Sequence, residues 1–370
     1  MTRVLITGGA GFIGSHTADA LISAGYEVRL LDSLSPQVHG AHRQRPSYLH
    51  ADAELLTGDV TDAIAVERAL RGIDKVLHLA SSVGVGQSMY DIESYVRTNE
   101  LGTAVLLQAL ANRPVERLVV ASSMSVYGEG ACRAGDGQIV APEERTLDQL
   151  KRGEWELADA DGHMLEPIPT PETKQPALSS IYALNKYAQE RMCLITGKAY
   201  GIPTLALRFF NVFGPRQALS NPYTGVLAIF AARLLNDRPP LVFEDGRQRR
   251  DFVHVHDVAR ACVLALESDQ SDDVFNIGSG QSRSIVSVAE DLASVMGRSQ
   301  MTPSITAKYR AGDIRHCFAD IRKSEQLLGF KPQVRFEDGL DELARYLADQ
   351  IADDQAEKAT EELLRRGLVA

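Results

Sequence analysis

The sequence has no long apolar run. Its hydrophobic residues are spread through 370 positions, and no stretch approaches the ~20 apolar residues that a spanning helix needs. No membrane partner is expected. Cysteine is scarce: Cys132, Cys193, Cys262 and Cys317 are scattered without a CxxC pair. That sets aside a disulfide framework and the usual structural zinc spacings, and the four read as reduced thiols. The opening stretch MTRVLITGG enters a strand-like run at once, with none of the regions of a signal peptide. A cytoplasmic protein is expected. Positive charge is also short. The formal net charge is −10, which argues against nucleic acid or an anionic membrane as partner. An anionic ligand must therefore be held by local arginines. There is one tryptophan, Trp155, and no internal repeat.

What is present is alternation. Strand-like runs at Arg3–Thr7, Glu27–Leu31, Glu54–Thr57, Lys75–Leu79, Arg117–Ala121 and Thr204–Arg208 alternate with helical patterns at Phe12–Ala24, Ala63–Leu70, Asp91–Ala111 and Ser180–Tyr200. Such alternation predicts an α/β fold of the Rossmann type, with a doubly wound parallel sheet. Ligands then lie beyond the carboxyl ends of the strands. The length suggests a second, smaller α/β domain. The expected division is a dinucleotide-binding domain over 1–208, with part of 241–265 returning to it, and a substrate domain over 209–345. Residues 130–178, rich in Gly, Pro, Asp and Glu, read as an excursion over the surface or the site. Residues 346–370 read as a solvated C-terminal helical appendage.

The stretch RVLITGGAGFIGSH puts Gly8, Gly11 and Gly14 between an apolar strand and a helix. Glycines there allow a tight turn and close approach to a pyrophosphate, which the helix N-terminus then faces. The next strand ends in Asp32, 18 residues after Gly14, where a carboxylate binds ribose hydroxyls and repels a 2′-phosphate. NAD is therefore expected rather than NADP. Asp59 ends the third strand-like run, where it either meets the adenine or caps the following helix.

Tyr182 and Lys186 in SSIYALNK stand four apart, on one face of a helix. A tyrosine is a poor base at pH 7, but a nearby ammonium favours its phenolate. Ser122, Ser123 and Ser125 in VVASSMSVYGEG follow a strand, where a hydroxyl can reach a sugar oxygen. His254 and His256 alternate in a strand-like run, but no third ligand is spaced to join them, so no metal is expected.

TGGAGFIG, HLAS, SSMSVYG and YALNK together resemble the extended short-chain dehydrogenases/reductases, in their nucleotide-sugar epimerase/dehydratase branch. The resemblance runs from about residue 2 to residue 345. It implies a catalytic triad of Ser123, Tyr182 and Lys186. It places Gly8, Gly11, Phe12, Ile13, Gly14, Asp32, Asp59, Val60, Leu79, Ala80, Ser81 and Asn99 around NAD, with Asn99 helping to set the lysine and His78 in the lining segment. Tyr127 is either packing or a sugar contact. On the substrate side it implies Val85, Ser123, Asn211, Asn221 in the NPYTGV loop, Arg250, Arg310 and Asp313. There the two arginines clamp a diphosphate and Asp313 holds a ribose. It also implies a homodimer formed through the helices at 91–111 and 180–200.

Three chemistries share such a scaffold. Relatives that dehydrate carry an Asp-Glu pair after the catalytic hydroxyl residue, and this chain has Met124 and Ser125 there. Reductases of this kind use NADPH, which Asp32 disfavours. The expected activity is therefore epimerisation of a nucleotide-diphosphate sugar at carbon 4, through a 4-keto intermediate. Dehydration or reduction is the alternative, and a non-catalytic NAD-binding regulator is the alternative of another class. LDSLSPQVHG, VGVGQSMY and QALSNPYTGVLAIFAARLL look most like a dTDP-L-rhamnose 4-epimerase-like subgroup.

Overall fold

The computed structural model describes residues 1–221, 223, 225–310, 312–352 and 354–370. Seven strands form one sheet: β1 Arg3–Thr7, β2 Glu27–Asp32, β3 Glu54–Thr57, β4 Lys75–His78, β5 Arg117–Ser123, β6 Thr204–Phe209 and β7 Asp273–Ile277. Their order is β7-β6-β5-β4-β1-β2-β3 and all pairs are parallel. Parallel strands are buried on both faces by their crossover helices, which explains the continuous apolar runs of β1 and β5. The order reverses between β1 and β4, and the crevice that this opens lies at the carboxyl ends.

The helices that matter for the site are α1 Phe12–Ser23, α2 Ala63–Ala69, α3 Gly102–Asn112, α4 Ile181–Tyr200, α5 Val255–Glu267, α6 Phe336–Leu347 and α7 Ala356–Arg365. Ser180 caps α4 by accepting the Ala183 amide at 3.1 Å, and Gly201 ends it with φ +67°. Among the described residues, no helix is long and apolar enough to cross a membrane.

A second core gathers around Phe213, Phe230, Leu292 and Leu340. Of 241–265, the strand part does not join the large sheet. Arg249–His254 pairs instead with Asn211–Phe213, Ser282–Ser284 and His316–Cys317. What returns is α5, against the β1 side of the core, and β7. The helix expected over Asp91–Ala111 contains a π turn, Val96–Leu101, before α3. The excursion holds a small three-stranded sheet, Cys132–Arg133 with Ile139–Val140 and Glu166–Pro167, and a short helix, Leu147–Lys151.

Segment 346–370 is not a solvated appendage. Ala359, Leu363 and Val369 are buried, and Arg233 pairs with Asp354 at 3.3 Å and Glu357 at 3.2 Å. An amphipathic helix this short is marginal alone and draws its stability from such packing.

Four buried histidines, His16, His78, His254 and His316, make this fold acid-sensitive. Burial, then Lys186, pushes His78 down to about 3, and burial first of all pushes His16 and His254 down to about 4. An unfolded histidine takes its proton near pH 6.5. Between there and about 4 the unfolded chain binds more protons, so stability falls as pH falls. Asp251 opposes this: burial pushes it up to about 6, so its contribution grows as pH drops from about 6 toward 4. Burial also lowers His316 and raises Glu129, Glu172 and Glu244; the histidine contribution is expected to prevail, so the melting temperature at pH 5 should lie below that at pH 7. Equal melting temperatures would refute the assignment.

Candidate active site

The first wall is the glycine loop. Gly8 has φ +69°, and a Cβ there would sit 2.9 Å from the backbone of Ala80; one on Gly14 would sit 2.5 Å from the Gly8 carbonyl. The loop therefore folds tightly on the end of β4 only with glycine at these positions. Gly11, Phe12 and Ile13 are partly exposed on the helix side. Asp32 accepts the Ala10 amide at 3.0 Å and the Leu34 amide at 2.8 Å, which fixes its carboxylate beside the loop. This cradle fits a dinucleotide: helix N-terminus, close backbone and a placed carboxylate.

The other expected cofactor residues divide. Leu79, Ala80 and Ser81 are partly exposed beyond β4. His78 points into the core, bonded to Thr7 at 2.7 Å and Thr103 at 2.8 Å. Val60 is buried and would collide with any side chain at Gly102. Asp59 is exposed and does not cap the helix: its carboxylate accepts from Thr61, and Asp62 caps α2 through the Ile64 amide. Asn99 lies in the π turn, where the extra residue turns its amide onto the end of β4. It accepts from the Ser82 amide at 2.7 Å and from the Ser81 hydroxyl at 3.1 Å. It thus shapes the cofactor loop and does not touch Lys186. The lysine is held by Gln189, whose Oε1 accepts from Nζ at 2.8 Å, while Nε2 donates to Thr103 at 2.9 Å. Gln189 went unnoticed in the sequence, although its spacing after Lys186 puts it on the same helical face.

Ser123 closes β5, and Tyr182 and Lys186 stand four apart in the first turns of α4, the helix that packs on β5. The Ser123 hydroxyl stands beside the Tyr182 phenol and receives the Ser125 hydroxyl at 2.9 Å. Ser122 faces away and donates to Glu190 at 2.7 Å, within a buried pair with Arg208. Burial pushes the Tyr182 phenol up to about 12, with Ser123 opposing, and burial pushes Lys186 down to about 8. In the protein alone burial outweighs Ser123, and the ammonium of Lys186, directed to Gln189, is not among the groups that lower the phenol. The Tyr182 amide donates to Ser88 at 3.0 Å, tying α4 to the short helix Val85–Ser88, where Val85 is exposed.

On the substrate side, Asn211 Oδ1 and Arg310 Nε are buried without a hydrogen-bond partner. The Arg310 guanidinium lies 4.6 Å over the Phe243 ring. Buried polar groups normally have a partner, so these two atoms are open to one that the protein itself does not supply. Arg250 is not free in the same way. Its fork donates to the carbonyls of Ile314 and Arg315 and lies 3.7 Å from Asp313. Asn221 accepts from Gln37 and from the Tyr223 amide, both at 3.1 Å; Pro222 and Thr224 of its loop lie outside the described residues. Tyr127 is packing: buried, it donates to Asn276 at 2.7 Å.

A buried ionic network joins the excursion to the Asp313 loop. Arg315 reaches Glu156 at 2.5 Å, Glu244 at 2.9 Å and Asp245 at 2.7 Å. Arg145 reaches Glu244 at 2.9 Å and Glu129 at 3.4 Å, and donates to the Asp313 carbonyl at 2.9 Å. His316 bonds Glu156 at 2.8 Å.

The histidine pair has a third neighbour that the spacing did not reveal: Glu342 of α6 stands 3.6 Å from His254 Nε2 and 3.8 Å from His256 Nε2. His254 closes its strand and caps α5, with Nδ1 accepting the His256 amide at 3.4 Å. With Nδ1 accepting, the proton of the neutral ring falls on Nε2, which is buried without a hydrogen-bond partner, and His254, His256 and Glu342 bring their ligand atoms close enough to hold a metal ion.

Comparisons with known proteins accord with this geometry. Residues 4–148 and 160–278 match the model of the NAD dependent epimerase/dehydratase family. The dTDP-L-rhamnose 4-epimerase of Burkholderia thailandensis is 37% identical over 94% of this chain and 96% of its own. Among solved structures, the UDP-glucose 4-epimerase of Thermotoga maritima, with UDP-glucose, superposes with a TM-score of 0.77 at 30% identity, over 94% of this chain and 99% of its own. The Thermus thermophilus UDP-glucose 4-epimerase complex with NAD gives 0.75 at 30% identity, over 95% and 100%.

Proposed function

Because the chain belongs to the NAD dependent epimerase/dehydratase family, we propose that it is an NAD-dependent epimerase acting at carbon 4 of a nucleotide-diphosphate sugar. The observation that carries the reading is Ser123 at the end of β5 beside the Tyr182 phenol, with Lys186 four residues on in the same helix and Met124 and Ser125 in place of further titrating groups. Bound NAD supplies a hydride acceptor that returns the hydride within the same cycle. Gly8, Gly11, Gly14 and Asp32 hold it, and Asn99 shapes the Ser81–Ser82 turn beside it. Tyr182 accepts the proton of the sugar 4-hydroxyl and later gives it back. Ser123 holds the same oxygen. Lys186, poised near pH 8 and oriented by Gln189, favours the phenolate when charged. Arg310 and Asn211 offer unpartnered groups to the diphosphate side. The sugar turns over about that anchor, so hydride returns to the opposite face.

The relative from Burkholderia and the sequence resemblance both favour dTDP-L-rhamnose as substrate. The test is carbon-4 configuration by NMR, with dTDP-L-rhamnose and a panel of UDP-, dTDP- and ADP-sugars and no added reductant. Inversion to a stable mixture is expected. Loss of water to a lasting keto sugar would move the reading to a dehydratase.

The same reading extends to a cytoplasmic homodimer. The four buried, unpaired cysteines suit a reducing compartment. Val96 and Leu101 on one helix and Leu184 and Ile195 on α4 are exposed apolar residues, a face that a second copy would cover. Sedimentation should give twice the chain mass, and a single chain mass would overturn this.

A further inference from the structure

Segment 354–370 begins at the Arg233 anchor and ends beside Arg310. Along the way it touches both sides of the substrate region. Leu363 of α7 lies against Gly86, where an added Cβ would meet it at 3.3 Å. Gly86 belongs to the short helix whose Ser88 holds the Tyr182 amide. The Arg366 guanidinium stacks 4.4 Å over the Tyr90 ring, and the Tyr90 hydroxyl shares a 2.5 Å hydrogen bond with Tyr223, next to the Asn221 loop. Beyond the helix the chain turns back as a strand-like pair. The Tyr309 amide donates to the Ala370 carbonyl at 2.9 Å, the Ala370 amide donates to the Tyr309 carbonyl at 3.1 Å, and buried Val369 bridges Arg310. Trp155 of the excursion packs on the other side of this stretch, its ring 6.2 Å from that of Tyr309.

We propose that residues 354–370 are a working part of the sugar-nucleotide site, bracing the Val85–Ser88 helix and the Arg310 backbone so that the Arg310 guanidinium is set for the substrate diphosphate. The physical reason is preorganisation. A free arginine side chain gives up much of its rotamer freedom when fixed. Here backbone pairing with Val369 and stacking on Phe243 restrict Arg310 before any ligand arrives, which lowers the cost of binding. Coupling is reciprocal, so a ligand on Arg310 must also steady the segment that braces it. The segment meets the site at Gly86, Tyr90, Tyr309 and Arg310, on the sugar-nucleotide side, so its effect falls there and spares NAD. The proposal rests on the reading of Arg310 as a diphosphate ligand.

The test is calorimetric titration of dTDP and UDP into NAD-loaded wild-type protein, a variant ending at Leu368, and Arg366→Ala. The shortened variant should keep its NAD content and bind the better diphosphate at least tenfold more weakly. Arg366→Ala should weaken binding about threefold or more. Affinities within twofold of wild type in both variants, with NAD retained, would overturn the proposal. If the shortened variant does not fold, Arg366→Ala decides by the same criterion. Wild-type protein that holds NAD but binds neither diphosphate would overturn the reading of Arg310, and the proposal with it.

Discussion

Tyr182→Phe should keep its fold and its NAD and lose turnover by on the order of a hundredfold or more. The phenylalanine ring fills the same partly buried space on α4, and the Ser88 bond that fixes this turn goes to the backbone amide, which the substitution leaves intact. What disappears is the hydroxyl that meets Ser123. Without it, the 4-hydroxyl proton has no acceptor within the triad. Lys186 does not substitute, because its ammonium is directed to Gln189. The measurement is initial epimerisation rate at saturating sugar nucleotide, with NAD content as the folding control. Near-normal turnover would remove Tyr182 from the mechanism.

Arg315→Met should destabilise the protein by about 3–5 kcal/mol, the usual cost of stripping one partner from a buried ion pair. The Arg315 side chain is fully buried and faces Glu156, Glu244 and Asp245. Burial already pushes the Glu244 carboxyl up, against the pull of Arg145 and Arg315. Losing a cation leaves more anionic charge than Arg145 can balance. Lysine should rescue only partly, since a point charge lacks the planar fork that spans three carboxylates. Glu244→Gln in the Arg315→Met background should recover part of the loss, because the two sites share one network. Thermal unfolding reads all three variants, and an unchanged melting temperature in Arg315→Met would refute the account.

The nucleotide half of this fold was legible because it is built from short-range patterns. The glycines, the strand before them and Asp32 lie within one βαβ stretch, and Tyr182 and Lys186 lie within two turns of one helix. The first six strands followed from apolar runs that burial on both faces demands. What stayed hidden depends on chain partners far apart in sequence. Strand β7, DVFNI, is five residues with an asparagine whose side chain serves Tyr127, so its apolar signal is weak. The π turn around Asn99 inserts a residue without breaking the helical look of the stretch. Glu342 reaches the histidines from α6, which no local spacing announces. Segment 354–370 buries few apolar side chains, and its charged face dominates its composition. Arg250 stands 3.7 Å from Asp313, and no local pattern shows that backbone carbonyls occupy its fork.

The ionic network has a consequence for anyone building chimeras of this scaffold. Residues 130–178 look like an insertion that a relative's loop could replace. They are wired by Arg145 and Glu156 to Glu244 and Arg315 on two other stretches, and through Arg145 to Glu129 just before the excursion. A grafted loop without these charges would leave Arg315 and Glu244 mismatched inside the protein. Exchange of this region is therefore a transplant of Glu129, Arg145, Glu156, Glu244, Asp245, Arg315 and His316 together, and substrate range on this scaffold should evolve by concerted change at those positions rather than by swapping one loop.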